Sequence, residues 1–421
     1  MSGYVNVNGQ KKSIIEGYAS VGGQKKRLTG IYGNKNGSVE PLWLASRKIY
    51  LAGDANGKIL YSRDGYSWKM SDYEGNAGKK ITGFAYGNQT FVGSVNKTDY
   101  VSTPKQQDAI ILVSKDGKEW SKKVIDTFYC YIVYMSNVVF LGGSFFITIA
   151  VNAPNSKKCY VYESQDGTSW SKLFDLDLDI STDDRKMICF GNNVYITGYK
   201  LLYPSDGTTY IAGVYFDANE KVLNYDSKTY TAQDTRPNYF SIWQEIYNRK
   251  INGVDTLLRR INLLYPPKNI EFHSHNGNIS IFDDTLQNTL CGYSSRLGNV
   301  EFSNIAPVVS NENLIFVYTG TEYTQSLEAY KYYYRINDSG KMEAISVTEN
   351  SDKKILFSSV EVKDKSILGG GIWISTGVSN NIYGWPGAMY ELSVKDGVHE
   401  LSEIETGLSF NTITAMFEGG E

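Results

Sequence analysis

The sequence predicts an all-β chain: a seven-bladed β-propeller preceded by a small N-terminal β-hairpin module. Three observations carry this. The composition, with 40 Gly, 33 Tyr and 14% aromatic residues against 9 Pro, favours turn-rich strands. Three segments share one pattern: Ile59 to Trp68, Ile111 to Trp120 and Val161 to Trp170. In each, an alternating strand leads through Ser-x-Asp-Gly to a Trp that opens a second strand, and the set recurs about every 50 residues. Finally, Ile413 to Gly419 matches Ile81 to Gly87 position by position, so a first blade that lacks its innermost strand finds one at 412–419.

The elements follow in order. Within residues 1–46, Gly9, Gly23 and Gly37 share a 14-residue period, each preceded by Asn or Gly, and Gly-Gln-Lys-Lys occurs twice. Asn-Gly and Gly-Gly between short strands are hairpin signals, because such turns need φ > 0 at both central residues. A lone hairpin is marginal in water, so this module is expected to pair with other chains.

Residues 47–421 form the propeller. An Asp-Gly turn between alternating apolar runs supplies one hairpin per blade, and Gly-Asn turns such as that in Ile81 to Gly93 supply another. Four short strands per ~50 residues is the blade arithmetic, giving about seven blades, with six or eight as neighbouring fits. The blades are expected near 47–75, 79–125, 131–175, 185–226, 268–305, 306–350 and 352–407. Residues 227–265 fit no blade and read as an insertion. Within it Tyr239 to Arg249 shows helical spacing, with Phe240, Trp243 and Tyr247 on one face.

Charge and composition exclude several classes. Lys+Arg total 42 against 45 Asp+Glu, a net charge of −3, so no basic excess serves nucleic-acid phosphates or anionic lipid. The apolar stretches are interrupted by Ser, Asn and Gly, and no membrane insertion is expected. The opening residues lack a basic segment followed by an apolar one, so no signal peptide is expected. Cys130, Cys159, Cys189 and Cys291 lie far apart with no CxxC, against a zinc site or a disulfide framework.

The hairpins built on Ser62, Asp64, Gly65 and Trp68, on Ser114, Asp116, Gly117 and Trp120, and on Ser164, Asp166, Gly167 and Trp170 resemble the Asp-box repeats of sialidases and related propellers. They depart from the usual pattern in having Gly directly after Asp. The resemblance implies a structural hairpin remote from any catalytic site. The Val-Asn-Gly-Gln-Lys-Lys wording of the first 46 residues looks like the opening segments of phage tail fibres, and of receptor-binding proteins of phages and phage-tail-like particles. That resemblance implies attachment to other tail or baseplate proteins through residues 1–46, a homo-oligomer such as a trimer, and a place on the virion, reached from the host cytoplasm.

Chemistry is sparse in the motifs. A sialidase-like site needs an arginine triad and an early Phe/Tyr-Arg-Ile-Pro motif. The nearest wording, Tyr334-Arg335-Ile336-Asn337, comes late and lacks the proline. His273 and His275 share one strand face, a geometry that can hold a metal or simply form a polar surface, and His399 is the third histidine. Asp175, Asp177 and Asp179 alternate and offer oxygen ligands for Ca²⁺, or form a solvated acidic loop. No cofactor is expected. The connections between second and third strands read as long and aromatic: 96–108 with Tyr100, 200–209 with Tyr203, 319–329 with Tyr323, and 377–388 with Tyr383 and Trp385. Aromatics on loops held by a rigid scaffold suit sugar rings. The expectation is a non-enzymatic receptor-binding protein that meets a bacterial surface glycan or surface protein through these five residues. The alternatives are a propeller glycan hydrolase of that surface and a structural baseplate or head-fibre component.

Overall fold

The computed structural model describes the strands throughout and, continuously, residues 48–71, 79–97, 101–176, 187–202, 207–231, 386–395 and 398–420. By contacts the chain divides into residues 1–49 with 419–421, and Tyr50–Glu418. The first unit holds three two-stranded antiparallel hairpins: Tyr4–Val7 with Gln10–Ser13, Gly17–Val21 with Gln24–Leu28, and Gly30–Lys35 with Ser38–Leu44.

Among the described residues, the rest of the chain forms seven sheets of four or five strands and no helix. The second, fourth, fifth and sixth run strictly in chain order from an inner to an outer strand, the third adds Val139–Leu141 beside Ser144–Ala153, and the seventh adds Val347–Glu349 at its outer edge. In the first, chain order is broken. Its inner strand is Ile413–Gly419, followed by Ile49–Asp54, Ile59–Ser62 and Lys69–Met70. The second sheet is Lys79–Gly87, Thr90–Lys97, Lys105–Ser114 and Ser121–Cys130. The third spans Ile132–Met135 to Ser171–Leu176, and the fourth Met187–Phe190 to Leu223–Thr231.

Two sequence expectations are corrected here. Residues 227–265 are not a helical insertion. The outer strand of the fourth sheet runs on to Thr231, and Phe240–Ile251 with Val254–Leu264 are the first two strands of the fifth sheet. A β-bulge between Trp243 and Glu245 explains the misreading, because one extra residue breaks the two-residue alternation and leaves apolar spacings of three and four. The later sheet limits shift with it: the fifth sheet ends at Ser295, the sixth covers Val300–Ala344 and the seventh Val347–Glu403. In the seventh, Val347–Glu349 pairs in parallel with Val398–Glu403, so the incoming chain covers the outer edge.

Each sheet lies against the next, and the seventh lies against the first. Inner strands of the second and sixth sheets, and the inner strand Phe240–Ile251 of the fifth, contact strands of neighbouring sheets. In the third sheet, Phe145 joins an apolar cluster with Ala85, Val92 and Ile111 of the second, while Phe146 joins one with Val194, Ile196 and Phe216 of the fourth. Successive residues of a strand point to opposite faces, so a strand buried on both faces reads as a nearly continuous apolar run, as Phe145 to Val151 does with Thr148 as its one polar residue. The last such cluster joins Tyr50, Ala52, Leu60 and Trp68 of the first sheet to Ile367 and Met389 of the seventh.

Glycine permits the closest approaches. A Cβ at Gly53 would stand 2.4 Å from Ile81 Cγ2 of the next sheet, and one at Gly369 would stand 2.5 Å from Ile413 Cγ2. Both glycines lie in second strands, and Ile81 and Ile413 are the matched positions of the two inner strands.

Candidate functional site

In each antiparallel sheet, the turns after the first and third strands share one side, and the connection after the second strand lies at the other. The two sides are built differently.

On the first side, three turns repeat one set of bonds. Gly65, Gly117 and Gly167 have φ of 82, 72 and 76, a region open to glycine. Their N–H groups donate to Ser62, Ser114 and Ser164 Oγ at 3.0, 2.8 and 2.9 Å. Each serine hydroxyl in turn donates to the aspartate Oδ1. That oxygen also accepts the next two free amides: Tyr66 and Ser67 for Asp64, Lys118 and Glu119 for Asp116, Thr168 and Ser169 for Asp166. Trp68, Trp120 and Trp170 Nε1 donate to the glycine carbonyls. Burial alone would push the Asp64 carboxyl up, but the amides of Ser67 and Tyr66 and the Ser67 and Ser62 hydroxyls hold it at about 2. The same opposition, won by the Glu119 and Lys118 amides, lowers Asp116, and that won by the Ser169 and Thr168 amides lowers Asp166. These carboxylates stay ionised and hydrogen-bonded, which unfits them as proton donors.

A fourth turn of this kind is absent from the sequence pattern. Asp217 Oδ1 accepts the amides of Asn219 and Glu220 at 2.8 and 2.9 Å, although no Ser, Gly or Trp stands at the corresponding positions. The signal that remains is an aspartate at the end of the strand Gly207–Asp217.

These turns also reach the third strand of the preceding sheet. Lys221 Nζ pairs with Glu163 Oε2 at 2.8 Å, and Lys118 Nζ lies 5.7 Å from the centre of the Tyr61 ring. The Tyr66 phenol, raised to about 12 by burial and by its hydrogen bond to Glu391, reaches the seventh sheet. Asn88 Nδ2 donates to the carbonyls of Gly143 and Gln165 at 3.0 and 2.7 Å. This side is a set of mutual bonds between sheets.

The inner strands carry a second belt. Thr414 Oγ1 donates to Ile81 O at 2.7 Å, Thr82 Oγ1 to Ser136 O at 3.1 Å, and Asn137 exchanges two bonds with the Met187 backbone at 2.8 and 2.7 Å. Bulges fall at Ile81/Gly83, Trp243/Glu245, Phe302/Asn304 and Leu356/Ser358 of four inner strands. A bulge releases a residue from the ladder, and here it frees Thr82 to bond the neighbouring sheet.

The other side is the candidate site. Strand limits place its connections at 98–104, 203–206, 323–327 and 373–386. The first three are shorter than the sequence suggests, because the flanking strands extend further, and the fourth is longer. Tyr100, Tyr203, Tyr323, Tyr383 and Trp385 all fall within these connections and lie outside the described residues. Asp54 closes this side in the first sheet. It is fully buried, its Oδ1 accepts the amides of Asn56 and Lys58, and its Oδ2 accepts that of Asn411. It ties the 54–58 turn to the segment that enters Ile413–Gly419.

The remaining candidates separate. Asp175 is exposed and paired with Lys172 at 3.1 Å, while Asp177 and Asp179 lie outside the described residues, as do His273 and His275. His399 sits in Val398–Glu403 of the seventh sheet, between Val347 and Val394 in the register. Tyr334 to Ile336 lie in the third strand of the sixth, and Asn337 outside the described residues. No cluster of three metal-ligating side chains occurs among the described residues. Cys130 and Cys159 are buried, and burial raises the Cys189 thiol to about 12.

No protein-family model and no curated protein matches the chain. Among solved structures, YjhT is 13% identical with a TM-score of 0.41, covering 76% of this chain and 96% of its own. An α-L-arabinofuranosidase from Fusarium graminearum, in complex with an iminosugar inhibitor, is 11% identical with a TM-score of 0.43, covering 70% and 89%. A GH43 β-1,3-galactosidase with galactodeoxynojirimycin is 9% identical with a TM-score of 0.38, covering 79% and 96%. Likenesses of this strength carry no substrate over to this chain. The expectation of a non-enzymatic protein is set aside: enzymes that cleave carbohydrate are among the matched structures, and the absence of a contiguous motif is no evidence against an enzyme. That expectation rested on missing contiguous motifs, and a catalytic carboxylate pair drawn from strands of different sheets leaves none.

Proposed function

We propose that this chain is a glycan-hydrolysing β-propeller, its seven sheets serving as seven blades, and that it acts on a bacterial surface polysaccharide from a phage tail or tail-like particle. One observation carries the reading. The five singled-out loop aromatics fall in the same connection, between second and third strands, of four different sheets, while the opposite side is taken up by bonds between sheets. Aromatic faces with polar edges grip sugar rings, and loops on a rigid array hold them in place. Hydrolysis needs two carboxyl groups, about 5–5.5 Å apart for retention or ~6.5–9.5 Å for inversion. Asp54, Asp64, Asp116, Asp166, Asp217 and Glu163 are committed to structural bonds, so the pair comes from other carboxylates of the chain. The three hairpins within residues 1–46 suit attachment to the particle, since two-stranded units gain stability by adding strands.

The test is a panel of purified capsule, teichoic-acid and exopolysaccharide fractions, assayed for new reducing ends. Release from one fraction supports the reading. Adsorption to cells without release from any fraction contradicts it.

A further inference from the structure

We propose that Glu322 and Glu328 of the sixth sheet are the catalytic carboxyl pair, one the nucleophile and the other the acid and base of a hydrolysis that retains anomeric configuration. The assignment rests on the glycan-hydrolase reading above. Glu322 ends the second strand, Asn313–Glu322, and Glu328 opens the third, Glu328–Ile336. Both stand at the side of the candidate site, and the connection between them, 323–327, begins with Tyr323.

The register sets Glu322 directly opposite Glu328. Elsewhere in the described strands, charges that meet across a ladder are of opposite sign in Glu245 with Arg260, Lys250 with Asp255 and Arg335 with Glu343. Like charges directly opposite are destabilising, and a chain keeps such a pair where function outweighs stability. The other like pair among the described strands, Lys79 with Lys97, stands at the same side of the second sheet, just before the connection that holds Tyr100.

The face that the two glutamates share supplies no neutralising charge. Its register positions hold Val300 and Phe302 in the first strand, Tyr318 and Gly320 in the second, and Tyr330 and Tyr332 in the third. No Lys or Arg occupies that face in any of the four strands. Two carboxyls this close resist ionising together, so one holds its proton to higher pH than the other.

Spacing selects the reaction. Opposite residues of a ladder hold their Cβ atoms about 4.5–5.5 Å apart. Retaining glycosidases set their carboxyl groups about 5–5.5 Å apart, against ~6.5–9.5 Å for inversion. In the first step the ionised carboxylate bonds to the anomeric carbon, the bond to the glycosidic oxygen breaks, and that oxygen takes the proton of the second carboxyl. In the next, a water returns a proton to the second carboxylate, and its oxygen displaces the first from the anomeric carbon.

The experiment follows reducing-end release from the susceptible polysaccharide by the full chain, beside Glu322→Gln, Glu328→Gln and Glu343→Gln. Tm is taken for each, and proton NMR reads the anomer that the wild type forms first. Each variant of the pair is expected to lose about 100-fold or more in rate. Each should hold or raise its Tm, because repulsion is relieved. Glu343→Gln, at the other side of the same sheet, is expected to keep its rate, and the product to keep its configuration. A pair variant that keeps the wild-type rate, one whose rate falls only with its Tm, or an inverted product overturns the assignment and leaves the hydrolase reading standing. A wild type that releases nothing from any fraction overturns both.

Discussion

Thr414 Oγ1 donates to the carbonyl oxygen of Ile81 at 2.7 Å, across 333 positions of sequence. The same hydroxyl lies 3.3 Å from Gly53 O, so one side chain spans the first and second sheets. Ile413, beside it, packs against Gly369 of the seventh sheet. The strand Ile413–Gly419 therefore holds three consecutive sheets of the series together. Deleting residues 412–421 exposes the edge of Ile49–Asp54 and opens the core cluster of Tyr50, Leu60, Ile367 and Met389. The expected result is a fall in Tm of many degrees and loss of a single cooperative transition in calorimetry. Thr414→Val alone is expected to cost about 1 kcal/mol.

Gly53→Ala should destabilise by about 1–3 kcal/mol, because the new methyl meets Ile81 at 2.4 Å. Ile81→Ala removes both Cγ atoms that the methyl meets, so it should cost less in the Gly53→Ala background than in the wild type. Urea denaturation of the wild type, both single variants and the double variant checks this, and additive losses would place the strain elsewhere.

How much of this was legible in the sequence follows from how local each feature is. The Asp64, Asp116 and Asp166 turns are readable because every group that makes them lies within seven residues. Asp217 makes the same amide bonds with none of the Ser, Gly and Trp positions, so pattern alone passes over it. The strand Phe240–Ile251 reads as a helix in the sequence because its bulge imitates helical spacing. The parallel strand Val347–Glu349 is invisible locally, since its partner lies about 50 residues away and parallel pairing leaves no turn signal.

Acid should weaken the protein through the Asp-Gly turns. Asp64 is held at about 2 in the folded state against an ordinary value of 3.8. A depressed folded value contributes stability that is complete above pH ~4 and is lost as pH falls towards 2. Asp64→Asn should flatten that part of a stability–pH curve while lowering stability at neutral pH, as read by chemical denaturation at each pH. A mutant with an unchanged acid limb would contradict the assignment.

Lys221→Met should cost roughly 2 kcal/mol, because it leaves Glu163, only 9% exposed, without its cation. Glu163→Gln/Lys221→Met should recover most of that loss in thermal melts. Losses from Glu163→Gln and Lys221→Met that simply add in the double variant would mean that the pair is not coupled.

The central claim is that one side of the sheet series holds the protein together and the other meets the glycan. The most direct measurement is the rate of reducing-end release from the susceptible polysaccharide, taken with Tm, for the wild type, Asp116→Ala and Tyr383→Ala/Trp385→Ala. Asp116→Ala is predicted to lose about 1–2 kcal/mol of stability and keep its rate below the melt. The double aromatic variant is predicted to keep its Tm and lose ~10-fold or more in rate at low substrate, since each stacked aromatic contributes about 1–3 kcal/mol. A rate lost with Asp116 at unchanged Tm, or full turnover without Tyr383 and Trp385, would contradict the account.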